Sequence, residues 1–198
     1  MTDAAARRRS SRRNFLLLAA LFLLPFAAAI WLYYSSAWRP AITAHGELID
    51  PPRLLPEAVL SLPDGTVTST RAMHGVWSLL YLAGNSCAES CTKSLAELAK
   101  VRLALDKDAT RVQRILLHSG ECCVPGFPGP GDADLLVLGA TGADGAALIA
   151  LFLRTASGVA SVYVVDPLGN LMMRHPAGGG AQGLLKDLER LLRLSGIG

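Results

Sequence analysis

Apolar residues along this chain fall into two regimes. From Phe15 to Tyr34 they form one uncharged run, and at ~1.5 Å rise per residue a helix of that length crosses a hydrocarbon layer of ~30 Å. Beyond it the apolar runs are short, change between strand-like and helix-like spacing, and are separated by turn residues. Ala58–Leu62 and Thr66–Thr68 flank Pro63-Asp64-Gly65, the signature of a hairpin. Val76–Leu82, rich in β-formers and closed by Gly84-Asn85, predicts a strand buried on both faces. Ser86 with Glu89 three residues on reads as a capping box, and Cys91, Leu95, Leu98, Val101 and Leu105 follow at helical spacing. Arg111–His118 and Leu135–Leu138 read as strands, and Ala143–Phe152 as a helix. Val159–Val165 is a strand, Asp166–Asn170 a turn and Leu171–Arg174 a returning strand. Leu184, Leu185, Leu188, Leu191 and Leu192 mark a closing amphipathic helix. Strands alternating with helices and ending in a hairpin plus helix predict a three-layer α/β domain without internal repeats.

The organisation expected is a basic arm at 1–14, a transmembrane helix at 15–34, a linker at 35–56 and one domain at 57–198. Pro40, Pro51, Pro52 and Pro56 make the linker extended. The net charge of +3 over 198 residues is concentrated in Arg7, Arg8, Arg9, Arg12 and Arg13, ahead of the apolar run. Without that arm the chain is close to neutral and carries no basic stripe with interleaved aromatics, which excludes a nucleic-acid surface. Arginines on one side of the run and Trp31, Tyr33, Tyr34 and Trp38 on the other predict a cytoplasmic N-terminus and an exported domain, on the periplasmic side of an inner membrane. Ala27-Ala28-Ala29 offers a cleavage site and Ser11-Arg12-Arg13-Asn14-Phe15-Leu16 a twin-arginine signal. The apolar run continues past those alanines to Tyr34, which favours an uncleaved anchor.

Candidate chemistry centres on Cys87 and Cys91. A strand delivers Cys87 to a helix start, where unpaired backbone N–H groups and the positive dipole end favour a thiolate, so Cys87 is the expected nucleophile. Cys91, four residues on, lies on the same helix face, placed to resolve a mixed disulfide or to share a soft metal ion. A structural disulfide or two buried thiols is the competing reading for an exported domain.

Gly75-Val76-Trp77-Ser78-Leu79-Leu80-Tyr81-Leu82 followed by Asn85-Ser86-Cys87-Ala88-Glu89-Ser90-Cys91 resembles the core of the Sco/SenC copper-assembly proteins. The resemblance runs from Leu62-Pro63-Asp64-Gly65 to Tyr163-Val164-Val165-Asp166-Pro167-Leu168-Gly169 and so spans most of the exported part. It implies a membrane-tethered thioredoxin-like domain with a C-x-x-x-C motif, serving the dinuclear copper centre of cytochrome c oxidase by delivering copper or by keeping that site's cysteines reduced. Ala88 and Thr92 stand where the family usually has prolines, and Gly158 stands where its copper-ligand histidine would be. A proline just before Val159, which thioredoxins place opposite their cysteines, is also missing.

The remaining candidates are individual residues. His118 closes a strand expected to run parallel to Val76–Leu82, which places it on the edge of the sheet where Cys87 sits and makes it the third metal ligand of choice, beside Cys87 and Cys91. Cys122 and Cys123 lie in a loop of Pro and Gly and are open to three full pairings of the four cysteines. His45, His74 and His175 are expected at the surface or in loops. Gly139–Gly145 lacks the lysine of a phosphate-binding loop and reads as a helix entry. Three functions follow: a thiol–disulfide oxidoreductase acting on exported or membrane protein thiols, an oxidase subunit among them; a Cu(I) chaperone; and a thioredoxin-like interaction module with an inert bridge.

Overall fold

A computed structural model describes residues 3–34, 44–84, 87, 89–120, 132, 134–155 and 160–197. The chain divides into two compact units, residues 1–43 and 44–198. The first contains helix α1 (Asp3–Tyr34), with Pro25 inside it. Among the described residues no helix is long and apolar enough to cross a membrane; side chains at positions 16 and 33, inside the apolar run, are outside that set.

The second unit is built on an eight-stranded sheet in the order β1-β8-β7-β4-β5-β6-β2-β3. Its strands are β1 (Glu47–Leu54), β2 (Val59–Ser61), β3 (Val67–Ser69), β4 (Trp77–Ala83), β5 (Val112–His118), β6 (Leu135–Gly139), β7 (Ser161–Val165) and β8 (Asn170–Pro176). β4, β5 and β6 run parallel and the other pairings are antiparallel. Helices α2 (Glu89–Ala104) and α4 (Ala181–Leu194) cover one face, and α3 (Gly142–Arg154) covers the other. The expected three layers are therefore present.

The central strands are buried on both faces, as their unbroken apolar runs require. Trp77, Leu79, Tyr81 and Ala83 point to α2 and α4, where Cys91, Leu95, Leu98, Val101, Leu184, Leu188 and Leu192 meet them. Leu80, Ile115, Leu117, Tyr163 and Val165 face α3 through Leu148 and Phe152. The Tyr163 hydroxyl donates to the Phe152 carbonyl at 3.0 Å, satisfying a polar group deep in that layer.

One element differs from the sequence reading, and one expected element has an unexpected neighbour. The segment read as linker up to residue 56 supplies β1, an edge strand on β8. Its register breaks between Leu48 and Arg53, across Pro51 and Pro52, which lack the N–H that a continuous ladder needs. The hairpin β2–β3 forms with Val59 opposite Ser69, but it joins the sheet beside β6, at the edge remote from β1.

Candidate functional site

β4 ends at Ala83, and Cys87 lies on the approach to α2, whose first residue is Glu89. The expected position of Cys87 inside the first helical turn is thus corrected, and Ser86 and Ala88 lie outside the described residues. A disulfide joins Cys87 to Cys91 with their Cα atoms 5.2 Å apart. That is shorter than the about 6.2 Å between residues i and i+4 of an ideal helix, so the bridge suits a residue just ahead of the regular turn. Cys91 is 3% exposed within the α2 core, whereas Cys87 is half-buried and packs against that core from outside. The more accessible sulfur is therefore that of Cys87.

His118 ends β5 level with Ala83 on β4 and Gly139 on β6. Alternation with Val112 and Leu116, which face α2, puts its side chain on the same face as Cys91. Nδ1 lies 2.6 Å from the Gly120 carbonyl oxygen. A carbonyl only accepts, so Nδ1 carries the proton and Nε2 keeps its lone pair. Gly139 leaves room for the ring: a Cβ there would lie 3.0 Å from His118 Cε1 and 2.5 Å from Ser61 Oγ. The structure thus brings His118 to the sheet edge and face of the cysteine pair.

Among the described residues no group of three or more His, Cys, Asp or Glu is arranged to hold a metal ion. Bonded to each other, the two sulfurs are not thiolates, and soft-metal binding needs thiolates. The proposed set of Cys87, Cys91 and His118 therefore does not close around copper in this state. Cys122, Cys123 and Gly158 lie outside the described residues.

Two polar clusters behind α2 were not foreseen. Arg114, 1% exposed, donates to the Leu95 carbonyl at 3.2 Å and pairs with Asp132 and Asp134. Burial opposes its charge, but the hydrogen bonds that Arg114 donates to Asp134 and Asp132, with the attraction of both carboxylates, outweigh it and raise its pKa. The same guanidinium holds Asp134 below the usual carboxylate value. This cluster ties the approach to β6 to α2.

The second cluster corrects the loop position expected of His175, which is buried on β8, whereas His45 is exposed as expected. Asp187, 5% exposed on α4, accepts the backbone N–H groups of His45 at 2.8 Å and Gly46 at 2.9 Å. Its other oxygen lies 3.3 Å from His45 Nδ1. His175 is 6% exposed, with Nε2 3.2 Å from Asp187 and 3.1 Å from Met173 Sδ. Both neighbours are acceptors, so Nε2 holds the ring proton. Burial pushes the His175 pKa down, with Asp187 opposing and His45 adding to the shift. The register Tyr81–Val162–His175 across β4, β7 and β8 sets this cluster on the sheet edge of the disulfide. His74 is exposed as expected, its ring against Gly169.

Residues 77–195, more than half of the chain, match the family model described as transmembrane-like, thioredoxin-like, C-terminal domain. No curated protein matches the sequence. Among solved structures, apo Sco1 from Thermus thermophilus is similar with a TM-score of 0.56 at 18% identity, covering 77% of this chain and 99% of that one. Copper-bound yeast Sco1 gives a TM-score of 0.58 at 15% identity over 72% of this chain and 94% of its own. BsSco gives 0.54 at 16% identity, over 72% of this chain and 96% of its own, and is described as a member of the Sco family of cytochrome c oxidase assembly proteins with a disulfide switch. At these identities the likeness establishes the fold, which is thioredoxin-like.

Proposed function

Because the chain belongs to the family of transmembrane-like, thioredoxin-like C-terminal domains, we propose that it is a membrane-tethered thiol–disulfide oxidoreductase of Sco-like type. Its partner is an exported protein dithiol, an oxidase subunit being the reading that the description of BsSco as a cytochrome c oxidase assembly protein suggests. The observation that carries the proposal is the Cys87–Cys91 bridge at the C-terminal edge of β4, with one sulfur half-buried and the other enclosed.

The exchange balances as follows. A partner thiolate attacks Cys87 Sγ, the Cys87–Cys91 bond breaks and Cys91 leaves as a thiolate. The partner's second thiolate then attacks the mixed disulfide, releasing Cys87 as a thiolate and leaving the partner oxidised. In the opposite direction the Cys87 thiolate attacks a partner disulfide and Cys91 resolves the intermediate. Cys91, held on the core face of α2, is thus the leaving group when the partner is oxidised and the resolving residue when it is reduced. The uncharged run Phe15–Tyr34, with Arg7–Arg13 before it, is the anchor that places the domain on the far side of the cytoplasmic membrane.

The test is trapping in membranes. With Cys91→Ser a mixed disulfide between Cys87 and a partner accumulates, and with Cys87→Ser none forms. Loss of function in both variants with no trapped species would sink the redox reading in favour of an inert bridge in an interaction module.

The orientation of His118 favours a second reading, in which the reduced pair takes Cu(I) as cargo. The proton on Nδ1 leaves Nε2 as the ligating atom, and two thiolates with one imidazole suit a soft cation. Anaerobic titration of the reduced chain with Cu(I) gives stoichiometric binding that Cys87→Ser abolishes and His118→Ala weakens. Binding unchanged in Cys87→Ser would refute this reading.

A further inference from the structure

A cavity of about 500 Å³ opens between α2, α4 and the ends of β7 and β8, inside the ~300–1,000 Å³ range of small-molecule sites. Neither the exchange reaction nor the copper reading uses it. Leu98, Val101, Val162 and Leu184 give it an apolar wall. The polar side is formed by His175, Lys186 and His45, with Glu97 as the acid on the α2 rim.

We propose that this cavity binds a small organic carboxylate, its apolar body on the Leu98–Leu184 wall and its carboxylate on the side of His175 and Lys186. The buried imidazole is the deciding group. With Nε2–H committed to Asp187 and Met173, Nδ1 is the ring atom left for a ligand, and among the described residues no hydrogen bond engages it. A carboxylate arriving there draws a proton from solvent onto Nδ1, giving an imidazolium between two carboxylates. Asp187 already accepts two backbone N–H groups, so its charge is partly spent before a ligand arrives. Gly178, Gly179 and Gly180 border the opening, and a Cβ at Gly178 or Gly180 would meet nothing within 4 Å, which leaves the mouth open. The first turn of α4, which has no side-chain cap and no acid, adds backbone donors on the same side.

The groups around His175 are accounted for. α4 contributes Asp187 and Lys186, the lead-in to β1 contributes His45, α2 contributes Glu97, and β7 contributes the apolar Val162. Arg174 on β8 turns to Glu47 and Ser161. Carboxylate binding consequently takes up about one proton near neutrality and tightens as pH falls from 7.5 toward 6.

The experiment is calorimetry of the full chain in lipid nanodiscs against empty nanodiscs, with hexanoate as probe and hexanol and hexylamine as matched tails. Saturable hexanoate binding at least tenfold tighter than either control supports the proposal, as does its weakening at least fivefold in Lys186→Gln, an exposed position. Comparison of phosphate and Tris buffers reads proton uptake, which disappears in His175→Gln. Absence of saturable binding, equal binding of hexanol, or hexanoate binding unchanged in both variants overturns it. Cys87→Ser binds hexanoate normally, so failure of this site and failure of the thiol reading are separable.

Discussion

Replacing Asp187 is the sharpest test of how the second unit is closed. Its carboxylate lies at 5% exposure and accepts the main-chain N–H groups of His45 and Gly46, with the His45 and His175 rings in contact. Asp187→Ala removes the acceptor of two part-buried amides, and each abandoned donor costs ~1–2 kcal/mol, below the penalty for a fully buried group. Two donors, plus the lost contact to the His175 N–H, give a destabilisation of about 3–5 kcal/mol. At ~2–4 °C per kcal/mol for a domain of this size, the melting temperature falls by roughly 6–20 °C. Asp187→Asn keeps one acceptor oxygen, and both amides use the same oxygen, so its cost is about 1–2 kcal/mol. The assay is thermal unfolding of the full chain by circular dichroism, with urea titration where unfolding is reversible. If Asp187→Ala melts within 2 °C of wild type, or if Asp187→Asn is as damaging as Asp187→Ala, the amide-clasp reasoning is refuted.

Other outcomes follow from the same structure. Because burial lowers the pKa of His175 from 6.5, the unfolded chain binds the proton that the folded chain resists, so this site's contribution to stability is flat above about pH 6.5 and is lost as pH falls below it; melting curves from pH 7.5 to 5.5 check this, and His175→Gln flattens them. Arg114→Met removes the guanidinium that links Leu95 to Asp132 and Asp134; because the two carboxylates left behind are over a third exposed, the cost is about 1–3 kcal/mol rather than that of a fully buried pair, with Arg114→Lys intermediate, and a loss below about 0.5 kcal/mol in denaturant titration would show the cluster to be dispensable. Reduction of the short Cys87–Cys91 loop removes about 2 kcal/mol of loop-closure stabilisation, or roughly 4–8 °C, so the reduced protein keeps its near-ultraviolet signal at 25 °C; loss of that signal on reduction would mark the bridge as a structural staple.

Much of this architecture was legible because the inner strands and their covering helices announce themselves by period. Trp77–Ala83 is an unbroken apolar run bounded by Gly84, and α2 repeats apolar residues at the spacing of one buried stripe. β1 was not legible, since Pro51 and Pro52 suppress the strand signal and an edge strand tolerates them where an inner one would not. The cysteine pair was visible from its spacing alone, whereas the start of α2 was placed too early by the Ser86–Glu89 pattern. Asp187 was hidden for a different reason. An acid beside Leu188 on an amphipathic helix looks like part of the solvated face, and nothing local reveals that the amides it serves belong to residues 45 and 46, 141 or more positions away. Arg114 escaped similarly, as a charge inside a strand whose partners lie on a later loop.

The pairing of β1 with β8 has a consequence for how the protein is made. Glu47 aligns with Arg174 and Leu54 with Asn170, so the first strand of the domain to leave the ribosome waits for the last described strand before it has a neighbour. Throughout that wait it is an unpaired edge emerging just behind an apolar segment, the circumstance in which nascent chains stick to one another. Its sequence is suited to the delay: Asp50, Pro51, Pro52 and Arg53 interrupt what would otherwise be a template for intermolecular strand addition. The two prolines that disguise the strand in the sequence are thus also the residues that keep it solitary until its own C-terminal hairpin arrives.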